Sequence, residues 1–433
     1  MSAPPETFES LPATNPHASV PSFDNDDDGR ITGLAPLARM VFAGGDLRPL
    51  QARLLDRLAR NRNDANALMD LSTVLQLMGQ RQSGLSMQAL ALHIQQLYRL
   101  RCAADSVAVR LLAIVSPGDL AENNALEFLV EGSDISLTML YVVPGMPFPA
   151  TLPEHDVAMV AVCESDRHRP LLKHIERLVQ SWPRPVLCAP HRIARLSRDG
   201  ACALLPSGSG MLMPLTARID RQALACIGRS GKPVRAFLAD VSFPLIVRPV
   251  DAQKGHGLMK IDAPDGIAGY LTTRPENVFY VARYVDYRGP DGQFRKYRIV
   301  FIDQRPYACH MAISDHWVVH YISAGMRESA AKRAEEERFF AAFDDDFARR
   351  HRHALLSIAR RVELEYVGID CGQTPDGKLL IFEVDSGMTI HAMDPVDIFP
   401  YKPPQMRKVF RAFRRMLLDA SIGRGAGQPA RHS

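Results

Sequence analysis

Short apolar strands alternate with helical segments between residues 107 and 188, and this alternation constrains the fold more than any other feature of the sequence. Buried strands are predicted at residues 109–115, 135–143, 157–162 and 185–188, with helices at 120–131 and 169–182. Strands that alternate with helices form a parallel sheet covered by helices on its faces. The pattern therefore predicts an α/β domain at about residues 105–215.

Helical spacing of apolar residues precedes this domain. It runs from about residue 47 to residue 100, and Asp64 is the predicted N-cap of the middle helix. The stretch from Asn63 to Leu75 resembles a helix of a tetratricopeptide-type repeat. No second unit at the ~34-residue period is visible, so a plain helical bundle remains an equal alternative.

A strand-rich region follows the α/β domain. Strands are predicted at residues 244–250, 258–261, 278–285, 297–302 and 317–321. A charged helical stretch at 328–362, a hairpin at 367–384 and a basic helix at 405–418 complete the region. The apolar positions of the basic helix favour packing on the core over binding to an anionic surface.

The expected organisation is α/β overall, in five segments. Residues 1–30, polar and Pro-rich, and the Gly-rich residues 421–433 are expected to be disordered. Residues 31–104 are expected to be helical and tetratricopeptide-like, 105–215 to be the α/β domain, and 216–420 to be an α+β domain.

Composition argues against several classes of function. The 52 Lys and Arg residues nearly balance 48 Asp and Glu, so the basic surplus of a nucleic-acid binder is missing. No apolar run approaches the ~18 residues of a membrane span, and the first residues lack a secretory signal. The seven cysteines are scattered without a CxxC pair, which indicates reduced thiols rather than a zinc site. A cytoplasmic protein is expected.

A glycine loop follows the predicted strand that ends near Arg248. It contains Gly255 and Gly257 on either side of His256. Two glycines around one residue let backbone amides approach phosphate oxygens, because no Cβ intervenes. Taken alone, an ordinary strand and turn explains the pattern better, since it is neither a Walker loop nor a dinucleotide fingerprint.

Three carboxylates fall on the predicted hairpin. Glu383 and Asp385 occupy alternate positions of one strand, so both side chains point to the same face. Asp370 lies on the partner strand. Three acids on one face repel each other unless cations are present, and carboxylate oxygens with a nucleotide phosphate suit Mg²⁺. The alternative is a solvated polar face of an edge hairpin.

Taken together, these segments resemble the ATP-grasp superfamily, in particular the D-alanine–D-alanine ligases, glutathione synthetases and RimK-like ligases. The stretches that carry the resemblance are FPLIVRP with its glycine loop, YRIVFIDQRPY and GIDCGQTPDGKLLIFEVDSGMT. Their order is that of the family. The resemblance covers roughly residues 215–420, which implies an ATP-grasp domain there and a pre-ATP-grasp domain at 105–215.

The resemblance also implies roles for individual residues. Arg221 and Arg248 would hold the ATP phosphates in place of the lysines that are usual in the family. Arg298 would be the catalytic residue, near the transferred phosphoryl group. The implied Mg²⁺ ligands are Asp370, Glu383 and Asp385, the last of which is usually asparagine.

Further nucleotide contacts are implied on either side of the ATP. The loop of Gly255, His256 and Gly257 would cover the triphosphate. The residues implied to meet the adenine edge are Val281, Ala282, Arg283 and Tyr284. His391 follows the last acidic strand, where related ligases bind substrate, and a packing role and a substrate contact both remain open for it.

The implied activity is ATP- and Mg²⁺-dependent ligation of a carboxylate to an amine through an acyl phosphate. The substrates would be small molecules or peptides, with neither nucleic acid nor membrane as a partner. One alternative is an ATP-grasp-like kinase. The other is a non-catalytic nucleotide-binding protein that recruits a protein partner through its N-terminal helices.

Overall fold

A computed structural model describes residues 29–208, 210–229, 242–252 and 255–423 of the chain. The ends that were expected to be disordered lie outside this part, apart from residues 29–30 and 421–423. The domain limits at residues 105, 216 and 420 remain predictions. Within the described ranges, no helix is both long and apolar enough to cross a bilayer.

Four helices form the N-terminal region. They are α1 (Leu34–Phe42), α2 (Arg48–Arg60), α3 (Ala65–Leu77) and α4 (Arg81–Ile94). The prediction that Asp64 caps the middle helix is confirmed, because its side chain accepts a hydrogen bond of 2.9 Å from the backbone N–H of Ala67. Most of α3 is buried, since α2 and α4 pack on either side of it.

The predicted parallel sheet is confirmed. Its strands are β1 (Leu97–Arg99), β2 (Val109–Val115), β3 (Ile135–Tyr141), β4 (Val157–Val160) and β5 (Val186–Leu187). They are ordered β1-β3-β2-β4-β5, and only β1 is antiparallel to its neighbour. The accompanying helices are α5 (Glu127–Val130), α6 (Arg169–Val179), α7 (Pro190–Ile193) and α8 (Arg198–Leu204).

The helix predicted at residues 120–131 is wrong over most of its length. Only Glu127–Val130 is helical, and the residues before it form a loop at the end of β2. The Asn123 side chain accepts a 2.8 Å hydrogen bond from the Ser116 N–H and donates another to the Ser116 carbonyl. These side-chain bonds hold the backbone out of a helix.

Two further sheets follow. The first contains β7 (Thr216–Asp220), β8 (Leu245–Pro249), β9 (Met259–Ile261) and β10 (Val278–Arg283) in the order β7-β10-β8-β9. The second contains β6 (Met211–Leu212), β11 (Phe294–Ile302), β12 (Arg305–Ser314), β13 (Tyr366–Gln373) and β14 (Leu379–Asp385) in the order β12-β11-β13-β14-β6. The predicted hairpin of residues 367–384 is therefore confirmed, as β13 and β14.

The helices of this half are α9 (Arg221–Arg229), α10 (Gly266–Thr272), α11 (Ala330–Ala341), α12 (Ala348–Arg350), α13 (Arg352–Val362) and α14 (Lys402–Ser421). The charged helical stretch predicted for residues 328–362 is confirmed, as α11, α12 and α13, with a π-helical turn at Phe343–Phe347 between α11 and α12. The strand predicted at 317–321 is wrong, since those residues form bends and turns.

The parallel sheet packs against the sheet of β12, β11, β13, β14 and β6, which is called the five-stranded sheet below. One continuous apolar core contains residues of both, and α14 buries Val409, Phe413 and Leu417 in it. This confirms the predicted packing role of the basic helix. The four-stranded sheet has a separate core with α9 and α10. The fold is α/β, as predicted, and the parallel sheet is followed by one antiparallel sheet and by one that is antiparallel except for the parallel pair β14 and β6.

Two buried carboxylates hold the beginning of α1. Both oxygens of Asp70, on α3, accept the Thr32 N–H, at 2.9 and 3.0 Å, and one also accepts the Gly33 N–H. Glu127 of α5 accepts the Ala35 N–H at 3.0 Å. Gly33 has φ +80°, and a Cβ there would collide with Glu127. The N-terminal helices are thereby fixed to the α/β sheet.

We expect Asp70→Ala to loosen α1, because it leaves two buried N–H groups without an acceptor. Such a loss costs about 1–3 kcal/mol, or roughly tenfold to hundredfold faster local opening. Hydrogen exchange of residues 32–42 measures it. Asp46→Ala, which removes an exposed partner of Arg48, is the matched control. Equal exchange in the two variants would contradict the anchoring role.

Candidate nucleotide and metal site

Four polar side chains form a row across the five-stranded sheet. Arg298 on β11 pairs in register with His310 on β12 and with Asp370 on β13, and Asp370 pairs with Glu383 on β14. Residues directly opposite each other on neighbouring strands point to the same face. The structure therefore brings together Arg298, Asp370 and Glu383, which the resemblance grouped in one site.

Asp370 is held by two cations. Its side chain is 4% exposed, and its oxygens accept hydrogen bonds from Arg298 at 2.8 and 3.0 Å and from Lys296 at 3.1 Å. Burial alone would raise the pKa of Asp370, but the positive charges of Arg298 and Lys296 outweigh it and hold the pKa well below its usual value. Asp370 is therefore ionised, and its charge is already compensated.

Glu383 and Asp385 share a face but differ in their partners. Glu383 forms an ion pair of 2.7 Å with Arg198 of α8. Asp385 accepts one hydrogen bond, of 2.7 Å, from the Gly387 N–H. Burial raises the pKa of Asp385, and the negative charge of Glu383 raises it further. A cation between the two carboxylates would relieve that repulsion, so this pair suits Mg²⁺ in chemistry and charge.

The three implied metal ligands do not form one coordination sphere. Across the described ranges, no group of three or more His, Cys, Asp and Glu side chains is arranged to hold a metal ion. Asp370 is turned to Arg298 and Lys296, as described above. A magnesium ion in proteins commonly takes one or two carboxylates together with substrate phosphates, which Glu383 and Asp385 can supply.

A second row crosses the four-stranded sheet. Tyr280 on β10 pairs in register with Arg218 on β7 and with Arg248 on β8. Arg218 donates a 2.8 Å hydrogen bond to the Tyr280 hydroxyl and forms an ion pair with Asp166. Arg218 was not among the predicted site residues, although it stands two positions before Asp220 on β7.

Arg248 is a buried cation that forms no ion pair with a carboxylate of the described residues. It is 8% exposed, its guanidinium donates to the Ala252 carbonyl, and its Nε has no partner among the described residues. Burial, reinforced by the neighbouring charge of Arg198, lowers the pKa of Arg248 to about 9, while Glu383 acts in the opposite sense. Two neighbouring residues of α8 link the rows, because Arg198 pairs with Glu383 at 2.7 Å and Asp199 pairs with Arg218 at 3.4 Å.

Arg221 lies outside this row. Its guanidinium donates hydrogen bonds of 3.1 Å to the carbonyls of Leu271 and Glu276 and another to that of Arg274. These carbonyls lie at the end of α10 and just after it, so the Arg221 side chain holds α10 in the core of the four-stranded sheet. These contacts give no support to the phosphate role implied for Arg221. Arg218, three residues earlier on β7, lies in the row with Tyr280 and Arg248 instead.

The glycine loop is described from Gly255 onward, while residues 253–254 lie outside the described part. Gly255 and Gly257 have φ +73° and +67°, the left-handed region that glycine adopts easily. A Cβ on Gly255 would press on the imidazole of His320, and one on Gly257 on the ring of Pro249. The loop backbone therefore passes close to His320 and Pro249 at the two glycines on either side of His256.

The backbone of the implied adenine-binding residues is largely used in hydrogen bonds within the fold. Val281 and Ala282 lie inside β10, which pairs with β7 on one side and β8 on the other, so sheet pairing uses their backbone. Arg283 ends the strand. Tyr284 follows it, and the Lys260 ammonium lies 4.7 Å from the centre of its ring. The Tyr284 N–H donates a 2.8 Å hydrogen bond to the Pro244 carbonyl, so its backbone donor is occupied as well.

A loop of the α/β domain reaches the acidic strand. Asn124 donates a 2.8 Å hydrogen bond to the Ser386 carbonyl, and a Cβ on Gly387 would overlap the sulfur of Cys163. Cys163 follows β4, at the carboxyl end of the parallel sheet, where α/β folds commonly bind ligands. The α/β domain thus forms a wall of the site.

Comparison with known proteins gives the following. No protein-family model and no curated protein matches the chain. Among solved structures, the chain is similar to an ATP-grasp RimK domain protein from Sphaerobacter thermophilus DSM 20745, at 14% identity over 72% of this chain and 100% of that chain, with a TM-score of 0.39. It is also similar to the VanG D-Ala:D-Ser ligase from Enterococcus faecalis, at 14% identity over 73% and 99%, with a TM-score of 0.41. Neither likeness assigns a residue or an activity to this chain.

We expect Arg248→Met to stabilise the ligand-free protein and to remove its response to ATP. The buried charge opposes folding, and a methionine of similar size keeps the packing. The melting temperature should rise by about 2–4 °C for each kcal/mol gained. Added MgATP, which should raise the melting temperature of the parent, should leave that of the variant unchanged.

Arg221→Met is the matched control for this experiment. It should lower the melting temperature, because three backbone carbonyls lose their donor, while the upward shift with MgATP persists. If Arg221→Met abolished the response to ATP and Arg248→Met kept it, the roles assigned to the two arginines would be reversed.

Proposed function

We propose that this chain is an ATP- and Mg²⁺-dependent ligase that joins a carboxylate to an amine through an acyl phosphate. The observation that carries the proposal is the environment of Arg248, a buried cation with a lowered pKa and an unpartnered Nε, which is acted on by the charge of Glu383, one of the two carboxylates suited to Mg²⁺. Such an arrangement is costly for folding unless an anion with a bound cation completes it. MgATP has that chemistry.

The two rows would take different parts of the nucleotide. Arg248 and Arg218 would bind phosphate oxygens, for which the planar guanidinium offers two parallel donors. Glu383 and Asp385 would hold Mg²⁺, which supplies charge neutralisation at the β- and γ-phosphates when bound. Seven free thiols, all within the described ranges, are typical of a reducing compartment and support a cytoplasmic location.

Arg298 would serve the chemical step. An oxygen of the substrate carboxylate attacks the γ-phosphorus, the bond to the β-bridging oxygen breaks, and ADP leaves. The amine then attacks the acyl carbon, and phosphate departs while the amine proton passes to solvent. Arg298 is fixed by Asp370, so its guanidinium is preorganised for the charge that develops on the phosphoryl group.

Hydroxylamine distinguishes a ligase from a kinase that phosphorylates a hydroxyl. With MgATP, hydroxylamine and a panel of amino acids and short peptides, a ligase should form a hydroxamate from the acyl phosphate. A kinase would give a stable phosphorylated product instead. Recovery of that product, with no hydroxamate from any acid, would overturn the ligase in favour of the kinase.

Arg298→Ala should lower the rate of hydroxamate formation by roughly 10²–10³, because it removes a donor to charge that exists only in the transition state. The dissociation constant for MgATP should stay within about threefold of the parent value. Arg295→Ala is the matched control. It alters the same strand on the opposite face, where Arg295 pairs with Asp291 and Glu335. A parent rate in Arg298→Ala would contradict the assignment.

A further inference from the structure

The ring of His391 lies where the N-terminal helices meet the site. Its centre is 6.0 Å from that of Phe42 on α1 and 6.0 Å from that of Phe128 on α5. The residue belongs to the segment that follows the acidic strand β14. Both the helical region and the α/β domain therefore reach the segment that follows β14, and Arg298 contacts the same segment at the Thr389 carbonyl.

The segment around His391 is held from two sides. Arg298 donates a 3.3 Å hydrogen bond to the Thr389 carbonyl, and Arg39 of α1 donates one of the same length to the Ala392 carbonyl. Arg39 also pairs with Glu131, at the end of α5. Since Asp70 and Glu127 anchor the beginning of α1, its position is set at both ends.

The hydrogen bonding of the ring determines where its proton lies. The Met393 N–H donates to Nδ1 of His391 at 3.3 Å, so Nδ1 is an acceptor. The ring is neutral, because burial, with the charges of Arg298 and Arg39, lowers its pKa to about 4. A neutral imidazole with an accepting Nδ1 carries its proton on Nε2. His391 therefore offers an uncharged N–H donor beside the Arg298 guanidinium.

We propose that His391 contacts the substrate and donates its Nε2–H to an oxygen of the carboxylate that is activated, and that Arg39 and Phe42 are positioning residues that hold the ring in place. The inference rests on the proposed function. In this proposal, α1 of the N-terminal region positions a residue of the site in the same chain. An uncharged donor adds a hydrogen bond to the acyl oxygen without another positive charge beside Arg298.

Two substitutions separate a hydrogen-bond donor from a packing ring. His391→Gln can place an amide N–H near the position of Nε2, whereas His391→Phe keeps an aromatic ring between Phe42 and Phe128. The rate of hydroxamate formation, with MgATP, hydroxylamine and the amino-acid panel, should stay within about threefold of the parent in the first variant. It should fall roughly tenfold to hundredfold in the second, the range for a hydrogen bond to a charged group.

Further readouts exclude loss of folded protein. Calorimetry should give the parent stoichiometry and affinity for MgATP in both variants. Phe42→Ala and Arg39→Ala should lower the maximal rate without changing the Michaelis constant for ATP, and Arg39→Lys should recover part of the loss. Arg48→Ala, an exposed substitution on α2, should behave as the parent. A parent rate in His391→Phe, or a larger loss in His391→Gln, would overturn the proposal.

A measurement independent of turnover separates failure of this inference from failure of the proposed function. Nitrogen-15 NMR of the histidine rings, with the His391 signal assigned by its loss in His391→Gln, reports the tautomer directly. The proposal requires Nε2 protonated and Nδ1 unprotonated at neutral pH. The opposite tautomer, or a doubly protonated ring, would overturn the inference even if the parent forms hydroxamates. If the parent forms none, the proposed function fails, and the substrate contact fails with it whatever the tautomer.

Discussion

The ion pair between Arg298 and Asp370 is the interaction on which the rest of the site depends. A buried carboxylate is stable only when cations and hydrogen bonds compensate it, and Asp370 has two cations in contact. The pair joins β11 to β13, and Arg298 also reaches the Thr389 carbonyl. It thereby fixes the guanidinium proposed to act in catalysis and the segment that carries His391 relative to β13.

Arg298 and Asp370 compensate each other's charge, whereas Arg248 and Asp385 are not compensated in the protein alone. Arg248 is buried on the four-stranded sheet with a lowered pKa, while Asp385 is half-buried on the sheet of β11 to β14 with a raised pKa. In the protein alone, the surroundings of Arg248 and of Asp385 disfavour the charged form of each side chain. An anion beside Arg248 and a cation beside Asp385 would compensate both groups, and a single ligand can carry both charges.

Much of the fold could be predicted from local patterns, whereas the site could be predicted only in part. The parallel sheet, the β13–β14 hairpin and the shared face of Glu383 and Asp385 follow from periodicity. The same alternation would have found Lys296, two positions before Arg298. Arg198 could not be found, because it comes from a distant helix. The hydrogen bonds of Arg221 to carbonyls near the end of α10 depend on the tertiary fold. The loop in place of the helix at 120–131 depends on the bonds of the Asn123 side chain to Ser116, which apolar periodicity does not show.

Titration calorimetry of the chain with ATP, in the presence and absence of Mg²⁺, tests the central claim most directly. One nucleotide should bind per chain, with an affinity at least tenfold higher when Mg²⁺ is present, because Glu383 and Asp385 repel the phosphates until a cation lies between them. Glu383→Gln should remove most of that dependence on Mg²⁺. Absence of binding at millimolar ATP, or equal affinity with and without Mg²⁺ in the parent, would contradict the account.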